Sequence, residues 1–390
     1  MDTYNKIKII DTAFGGYGVG KIDGNFTIFV PFTVEGDIID AKIIKKKRSY
    51  CIGEVIKIHE KSQFRRENYC EYNENCGGCT FGFIKYENQL RIKEKIVYNF
   101  FRKFKDFKIN DIIFSEPYRY RLRAKFRIYK NNFGFLKFKS SQFIPINDCL
   151  ICKKSIIEKI NYIAKNLKNS NLIENYIIEN ENNEALVNIK EKFQNNFKLV
   201  DNIVGVKFKD KTIGENFIKI NHFYAGFNTF SQSNTFLLTK FMKIATNAIE
   251  QNDNVLELYS GSGFFTSEIS KKCKTITAVE ENKEAINLLK KLNLKNLKII
   301  QNRVEKLKIK DNFSLLFVDP PRAGLEKNVI KLIKEKNFEK IIYVSCNPST
   351  LSRDLELIKD NYKIEKFYLI DMFPNTHHIE TIATLKNIKY

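Results

Sequence analysis

The 390-residue chain has no tryptophan, three methionines, four histidines and seven prolines. It has no run of eighteen apolar residues, which excludes a membrane-spanning helix. Its opening stretch, "MDTYNKIKII", is too polar for a secretory signal, so a soluble, cytoplasmic protein is expected. Acidic residues are scarce beside basic ones: 45 Asp+Glu against 66 Lys+Arg leave a net charge of +21 spread along the chain. That excess favours a polyanionic partner, most simply nucleic acid. With 43% hydrophobic residues the chain can build two or three cores. The eight cysteines cluster rather than spread, and in a cytosolic chain clustering points to metal rather than to disulfides.

Three segments are expected. Residues 1–58 contain "IKIIDT", "GVGKI", "FTIFV", "DIIDAKII" and "YCIGEVIKI", five short strands with glycine turns that suggest a small OB-like β-barrel. One hairpin of that barrel gathers Lys42, Lys45, Lys46, Lys47 and Arg48, which suit either a solvated tip or RNA contact. Residues 59–215 form a mixed α+β middle with a helix over about 85–105. Within it, "YRYRLRAKFRIYK" alternates strictly, so Tyr118–Lys130 reads as one half-buried strand. Arg119, Arg121, Arg123, Lys125 and Arg127 line its open face, a self-repelling ladder that RNA phosphate would screen. In residues 216–390 six strands alternate with helices, which implies a doubly wound, parallel-dominated sheet with ligands beyond its C-terminal strand ends.

The first of those strands runs into "LELYSGSGFFTSEIS", where Gly261 and Gly263 would let backbone approach a ligand. Glu280 closes the second strand, where a carboxylate meets ribose hydroxyls, and Asn302 follows the third, facing an adenine edge. The G-x-G-x-x-G fingerprint is incomplete, which favours S-adenosylmethionine, with no pyrophosphate to cradle, over NAD. The fourth strand ends in "DPPR", a rigid pocket floor carrying Asp319 and Arg322. The fifth ends in "SCNPST", where Cys346 is either a small apolar cap or a nucleophile made acidic by the following helix. Upstream, "CEYNENCGGCT" spaces Cys70, Cys76 and Cys79 as a metal knuckle for an iron–sulfur cluster or zinc, with Cys149 or Cys152 as fourth ligand.

"SGSGFF", "DPPR", "SCNP" and "FPNTHHIE" occur in an order that resembles the RNA (uracil-5-)-methyltransferases. The resemblance extends to "FSQSN", to a TRAM-like barrel, and to the [4Fe–4S] ligands of the branch acting on large-subunit (23S) rRNA. It implies a Rossmann-like catalytic domain and S-adenosylmethionine contacts from Gln232, Tyr259, Gly261, Gly263, the backbone of Phe264, Glu280, Asn302 and Asp319. It favours Cys149 over Cys152 as fourth cluster ligand.

The chemistry fits these residues. Carbon 5 of uracil is a weak nucleophile until a thiolate adds to carbon 6, so a cysteine and a later general base are needed. The resemblance gives these roles to Cys346 and Glu380, with Arg322 beside the enolate oxygen and His377 and His378 holding the loop or the RNA. Arg48, Arg119, Arg121, Arg123 and Arg322 are the expected RNA contacts. A monomer without an obligate protein partner is expected. The alternatives are a tRNA T-loop substrate, an amino-methyltransferase needing no cysteine, and a non-catalytic iron–sulfur RNA-binding protein.

Overall fold

The computed structural model describes residues 2–67, 69–73, 75–167, 171–194, 197–200 and 202–389. The chain divides into two units, one of residues 1–105, 136–144 and 373–378 and one of the remainder.

In the first unit, β1 (Thr3–Ala13), β2 (Tyr17–Ile22), β3 (Phe26–Pro31), β4 (Ile38–Lys46) and β5 (Tyr50–Glu60) close into a barrel of order β1-β2-β3-β5-β4. Alternate residues point inward, and Ile9, Ile28, Val30, Ile39 and Cys51 are fully buried, so Cys51 serves as a small core residue. Lys42, Lys45, Lys46, Lys47 and Arg48 are all exposed at the β4–β5 hairpin. Beyond the barrel, the cysteine segment runs through turns into α1 (Tyr86–Phe101), which buries Ile92, Ile96, Val97 and Phe101 along one face.

Asp37 fastens the barrel to the chain that leaves it. Fully buried, its carboxylate accepts the N–H groups of Val34 and Ser62 (both 2.9 Å) and a two-pronged bond from Arg65 (2.8 and 2.9 Å). Such a pair adds little net energy when intact, but half of it is costly to leave behind.

The chain continues through β6 (Asp111–Ile113), β7 (Arg123–Tyr129), β8 (Asn132–Leu136), β9 (Phe143–Pro145), α2 (Lys154–Asn166), β10 (Ile173–Glu179) and β11 (Ala185–Ile189), all in the second unit except Leu136 and residues 143–144. Next come β12 (Ile203–Lys207), β13 (Thr212–Gly214), β14 (Phe217–Ile220), β15 (Phe223–Gly226) and α3 (Leu238–Ala245). The catalytic segment adds β16 (Asn254–Leu258), α4 (Thr266–Lys272), β17 (Thr275–Glu280), α5 (Lys283–Lys290), β18 (Leu297–Gln301) and β19 (Leu315–Val318). It ends with α6 (Lys327–Lys336), β20 (Lys340–Ser345), α7 (Pro348–Ile358), β21 (Tyr362–Ile370) and β22 (Glu380–Asn387). One sheet runs β13-β12-β11-β10-β7-β8-β9; the other runs β18-β17-β16-β19-β20-β22-β21-β6.

The expected middle segment, 59–215, is shared between the units. Among the described residues, one core cluster joins Leu122, Ile178 and Leu186 to Ile218, Phe223 and Leu238.

Two local expectations are corrected. The basic strand hydrogen-bonds as β7 only from Arg123, because Arg119 adopts a left-handed backbone (φ +53°) and 119–122 bonds elsewhere. The alternation still sets burial, with Tyr120, Leu122, Ala124, Phe126 and Ile128 all inside. The cations are also paired: Arg119 grips Asp148 (2.9 and 2.6 Å), and Lys125 and Arg127 share Glu174 (2.7 and 2.5 Å). Two carboxylates thus offset part of the charge of the five-cation ladder. Secondly, β22 was not expected as a strand, and it runs antiparallel between β20 and β21. Among the described residues, no helix is long and apolar enough to cross a membrane.

Replacing Asp37 with Ala should strand the Arg65 charge and two N–H groups, lowering stability by about 3–5 kcal/mol. Urea unfolding reads this directly; an unchanged midpoint would show that the pair holds nothing.

Candidate active site

The parallel strands deliver their C-terminal ends to one edge. After β16, Tyr259, Gly261 and Gly263 take left-handed backbone (φ +62°, +55° and +95°), which swings the chain into α4. A Cβ on Gly263 would lie 2.7 Å from Leu289 and Leu292, whereas one on Gly261 would meet nothing within 4 Å, so the turn is tight below and open above. The Gly261 N–H donates to Glu280 (2.9 Å), and the other carboxylate oxygen of Glu280 accepts the Glu281 and Asn282 N–H groups (2.9 and 2.8 Å). Asn302 is placed by its own N–H, which donates to the Glu280 carbonyl (3.1 Å). Tyr259 donates to Glu305 (3.4 Å), and burial with that carboxylate raises its phenol. Phe264 turns its ring into the core, 4.7 Å from the Phe265 ring and 5.2 Å from Phe223, which leaves only its backbone at the turn.

Glu257, the acidic residue before the turn, is buried and accepts a bond from Thr266 (2.6 Å). Desolvation pushes its carboxyl up to about 8, so it holds the turn together as a neutral group at lower pH. Gln232 is also buried, yet its Oε1 has no partner among the described residues. An orphaned buried carbonyl, an open glycine turn and an acidic strand end suit a ligand carrying a ribose and polar donors, as S-adenosylmethionine does.

Cys346 directly follows β20, and Glu380 opens β22. Ser345 pairs with Thr381 across these strands, and Glu380 pairs with Ile370 of β21. Because β22 runs antiparallel, its beginning lies at the same edge as the end of β20. The Thr381 hydroxyl donates to the Ser345 carbonyl (3.1 Å), locking the register next to Cys346.

The electrostatics correct one expectation. A helix start was expected to favour the thiolate, but the first turn of α7 is capped by Asn347, whose Oδ1 accepts the Ser349 N–H (3.1 Å). Burial first, then Glu380 and Asp319, push the Cys346 thiol up to about 12; only Arg322, which hydrogen-bonds the sulfur, pulls the other way. Glu380 is itself raised well above an ordinary carboxyl by burial and by Asp319. Asp319 retains some open surface, but desolvation of its carboxyl pushes it up to about 7. Charge is therefore disfavoured on all three groups.

A network beneath this corner escaped the sequence reading. The loop Asp319–Leu325 is clamped to α7: Asn347 Nδ2 donates to the Arg322 carbonyl (3.0 Å), Arg353 to that of Ala323 (2.9 Å), and the Leu325 N–H to Asp354 (2.7 Å). Buried Asp354 also accepts Tyr343 (2.7 Å) and Arg353 (2.7 and 2.9 Å). Gly324 (φ +77°) allows this approach, since a Cβ there would sit 2.5 Å from the Asp354 carboxylate. The signal was "SRDL", four residues beyond "CNP", and it passed as plain helix.

In the first unit, Cys70, Cys76 and Cys79 are half-buried on turns. Gly78 N–H donates to Cys76 Sγ and the Tyr69 hydroxyl to Cys79 Sγ, each at 3.4 Å, the kind of donor that steadies a metal-bound thiolate. Among the described residues, no group of three or more His, Cys, Asp or Glu side chains is assembled to hold a metal ion. In the second unit Cys152 is fully buried, and a bond from it draws the half-exposed Cys149 thiol down to about 7. The segment 373–378, with His377 and His378, belongs to the first unit, where His377 bonds Thr80 (2.9 Å) and Asn375 bonds Gln89 (2.8 Å).

A parallel sheet with an open glycine turn, an acidic second strand and a cysteine at the fifth strand end defines an α/β methyltransferase, here joined to a small barrel. Residues 5–56 match the TRAM domain. Residues 178–309 and 298–388 match the profile described as tRNA (Uracil-5-)-methyltransferase, and the chain belongs to that family. It is an S-adenosylmethionine-dependent RNA (uracil-5-)-methyltransferase. Similar proteins include an uncharacterized RNA methyltransferase of Nanoarchaeum equitans, 32% identical over 95% of this chain and 90% of that one. Another, from Fusobacterium nucleatum, is 30% identical over 98% of this chain and 95% of its own. Among solved structures, the Pyrococcus abyssi tRNA (uracil-54, C5)-methyltransferase with S-adenosyl-L-homocysteine superposes at a TM-score of 0.77. It is 22% identical and covers 97% of this chain and 100% of that one, a likeness of fold.

Without cofactor or RNA, alkylation of Cys346 by iodoacetamide should keep rising well above pH 9, because the thiol titrates near 12. Glu380→Gln removes a neighbour that is negative once ionised and should speed alkylation in the strongly alkaline range where the thiol titrates. Peptide mass spectrometry of Cys346 reads both; a plateau near pH 8, or no acceleration in the variant, contradicts the electrostatics described.

Proposed function

We propose that the protein methylates carbon 5 of a specific uridine in 23S rRNA through a covalent Cys346–carbon 6 adduct, with Glu380 as general base. The observation that carries this reading is the β20–β22 register, which sets the one thiol of the cofactor edge next to a buried carboxylate.

Gln232, Gly261, Gly263, Glu280, Asn302 and Asp319 would hold S-adenosylmethionine, with Tyr259 and the Phe264 backbone flanking the turn. When bound, it supplies an electrophilic methyl group, which carbon 5 receives. Cys346 must first lose its proton to solvent, and Arg322 is the group that lowers that cost. Bonding of Sγ to carbon 6 moves the ring π electrons onto the carbonyl oxygen at carbon 4, beside which Arg322 would stand. After methylation Glu380 takes the carbon-5 proton. Those electrons restore the ring double bond and expel the thiolate. A carboxyl raised by burial is a stronger base once ionised than one in water.

For RNA contact, the exposed hairpin of Lys42, Lys45, Lys46, Lys47 and Arg48 is better placed than Arg119, which Asp148 already neutralises. Arg121 and Arg123 stay in the proposed RNA surface. The cysteine spacing supports a structural [4Fe–4S] cluster on Cys70, Cys76, Cys79 and Cys149, and the burial of Cys152 favours Cys149 over it. The protein would act as a cytoplasmic monomer.

A tRNA T-loop substrate is the second reading. It is favoured by the archaeal tRNA enzyme, whose match over 97% of this chain takes in the barrel. The barrel alone therefore does not separate the two, and the rRNA reading rests on the cysteine spacing.

Purified protein given labelled S-adenosylmethionine with 23S rRNA and with tRNA should place 5-methyluridine in the rRNA at one or a few positions. Label confined to tRNA overturns the rRNA assignment; label on a base nitrogen overturns the chemistry. Anaerobic protein should be brown with about four irons per chain, and stoichiometric zinc instead would replace the cluster.

A further inference from the structure

Among the described residues five aromatic side chains stand exposed. Four of them, Phe114, Tyr118, Phe230 and Phe236, come from two short segments of the second unit. Those segments are bonded together. Leu122 N–H donates to the Ser233 carbonyl (2.7 Å) and Thr235 N–H to that of Tyr120 (2.9 Å). Between them Asn234, fully buried, donates to the Ser115 hydroxyl (3.1 Å) and the Met372 carbonyl (3.3 Å) and accepts the Phe236 N–H (3.1 Å). The side chain of Asn234, two positions from Gln232, thus fixes the residue next to Phe114 and the backbone of Phe236.

Phe114 and Phe236 leave 53% and 51% of their surface open. Scattered exposed rings are ordinary, but rings gathered beside a reaction site mark a binding surface. The same chain segment carries Arg121 and Arg123, and the Arg123 guanidinium lies 6.0 Å from the Phe230 ring centroid. Exposed aromatic rings interleaved with arginine are the composition on which unpaired bases stack. Duplex RNA offers no free base faces, since its bases already stack on one another.

We propose that Phe114 and Phe236 form a stacking surface for the bases flanking the methylated nucleotide, so that the enzyme takes an unpaired RNA segment. The proposal rests on the RNA methyltransferase reading and adds the substrate's form. The segment threads past Gln232 toward Cys346, while phosphate contacts belong to the basic residues.

The test is fluorescence anisotropy with a short labelled unpaired RNA and with the same RNA annealed to its complement. Phe114→Ala and Phe236→Ala should each weaken the unpaired complex by about 5- to 150-fold, the loss of one stacked base. The salt dependence should not change, because no phosphate contact is removed. Duplex affinity and S-adenosylhomocysteine binding should stay at the wild-type values. Phe236→Tyr, which keeps a π face, should bind as the wild type, and Phe236→Leu, which keeps only apolar bulk, should not. Wild-type affinity in both alanine variants, equal losses on duplex, or equal behaviour of the Tyr and Leu variants would overturn the surface. If wild-type protein still methylates RNA in that case, the methyltransferase reading survives; if it methylates none, that reading fails separately.

Discussion

The site depends on one strand running the wrong way. Were β22 absent, β20 and β21 would be neighbours in a parallel sheet, and the chain after β21 would leave the cofactor edge. Antiparallel insertion returns it, so that a strand's beginning meets another's end. The Ser345–Thr381 pair sets where along the strand this happens. A slip of one residue would turn Glu380 to the other face of the sheet. The register is held by burial: every residue of β22 except Lys386 is inside, so any shift would expose apolar surface or bury a charge.

That same burial explains why charge is disfavoured at the corner. Cys346, Asp319 and Glu380 share a desolvated edge; Glu380 and Asp319 add to the effect of burial on Cys346, Asp319 adds to that on Glu380, and Asp319 is raised by desolvation alone. A positive charge is what such a site lacks, and Arg322 is the nearest source. This gives the Asp354 clamp its meaning. The network from Asn347, Arg353 and Asp354 grips the backbone of the loop that carries both Asp319 and Arg322. Two oppositely charged side chains are thus carried on one rigid loop beside the thiol.

Much of this was legible in the sequence because local rules act without tertiary help. Glycine turns and alternation gave the five barrel strands, and β16 to β21 followed from β-branched runs separated by helical spacers. Alternation even predicted the burial of Tyr120 and Leu122, where the strand hydrogen bonds do not form. What stayed hidden depends on partners far along the chain. Arg119 meets Asp148 and Lys125 meets Glu174, pairings that no periodicity announces. Strand direction is equally non-local: "ETIATLKN" is buried almost throughout, so it lacks the alternation that would have marked it. The effect of the α7 start on Cys346 was misjudged for a related reason, since burial first, and then two carboxylates from elsewhere in the chain, raise the thiol despite the helix terminus.

The central claim is that the thiol and the carboxylate at this register act at successive points, one before methyl transfer and one after. Denaturing electrophoresis of the protein with substrate RNA and methyl-labelled S-adenosylmethionine separates them. Glu380→Gln keeps the nucleophile but cannot take the carbon-5 proton, a loss of about 10²–10⁴ in turnover. It should therefore accumulate a slow, labelled protein–RNA band that Cys346→Ala never forms. Normal turnover by Glu380→Gln, or a slow band from Cys346→Ala, would contradict the account.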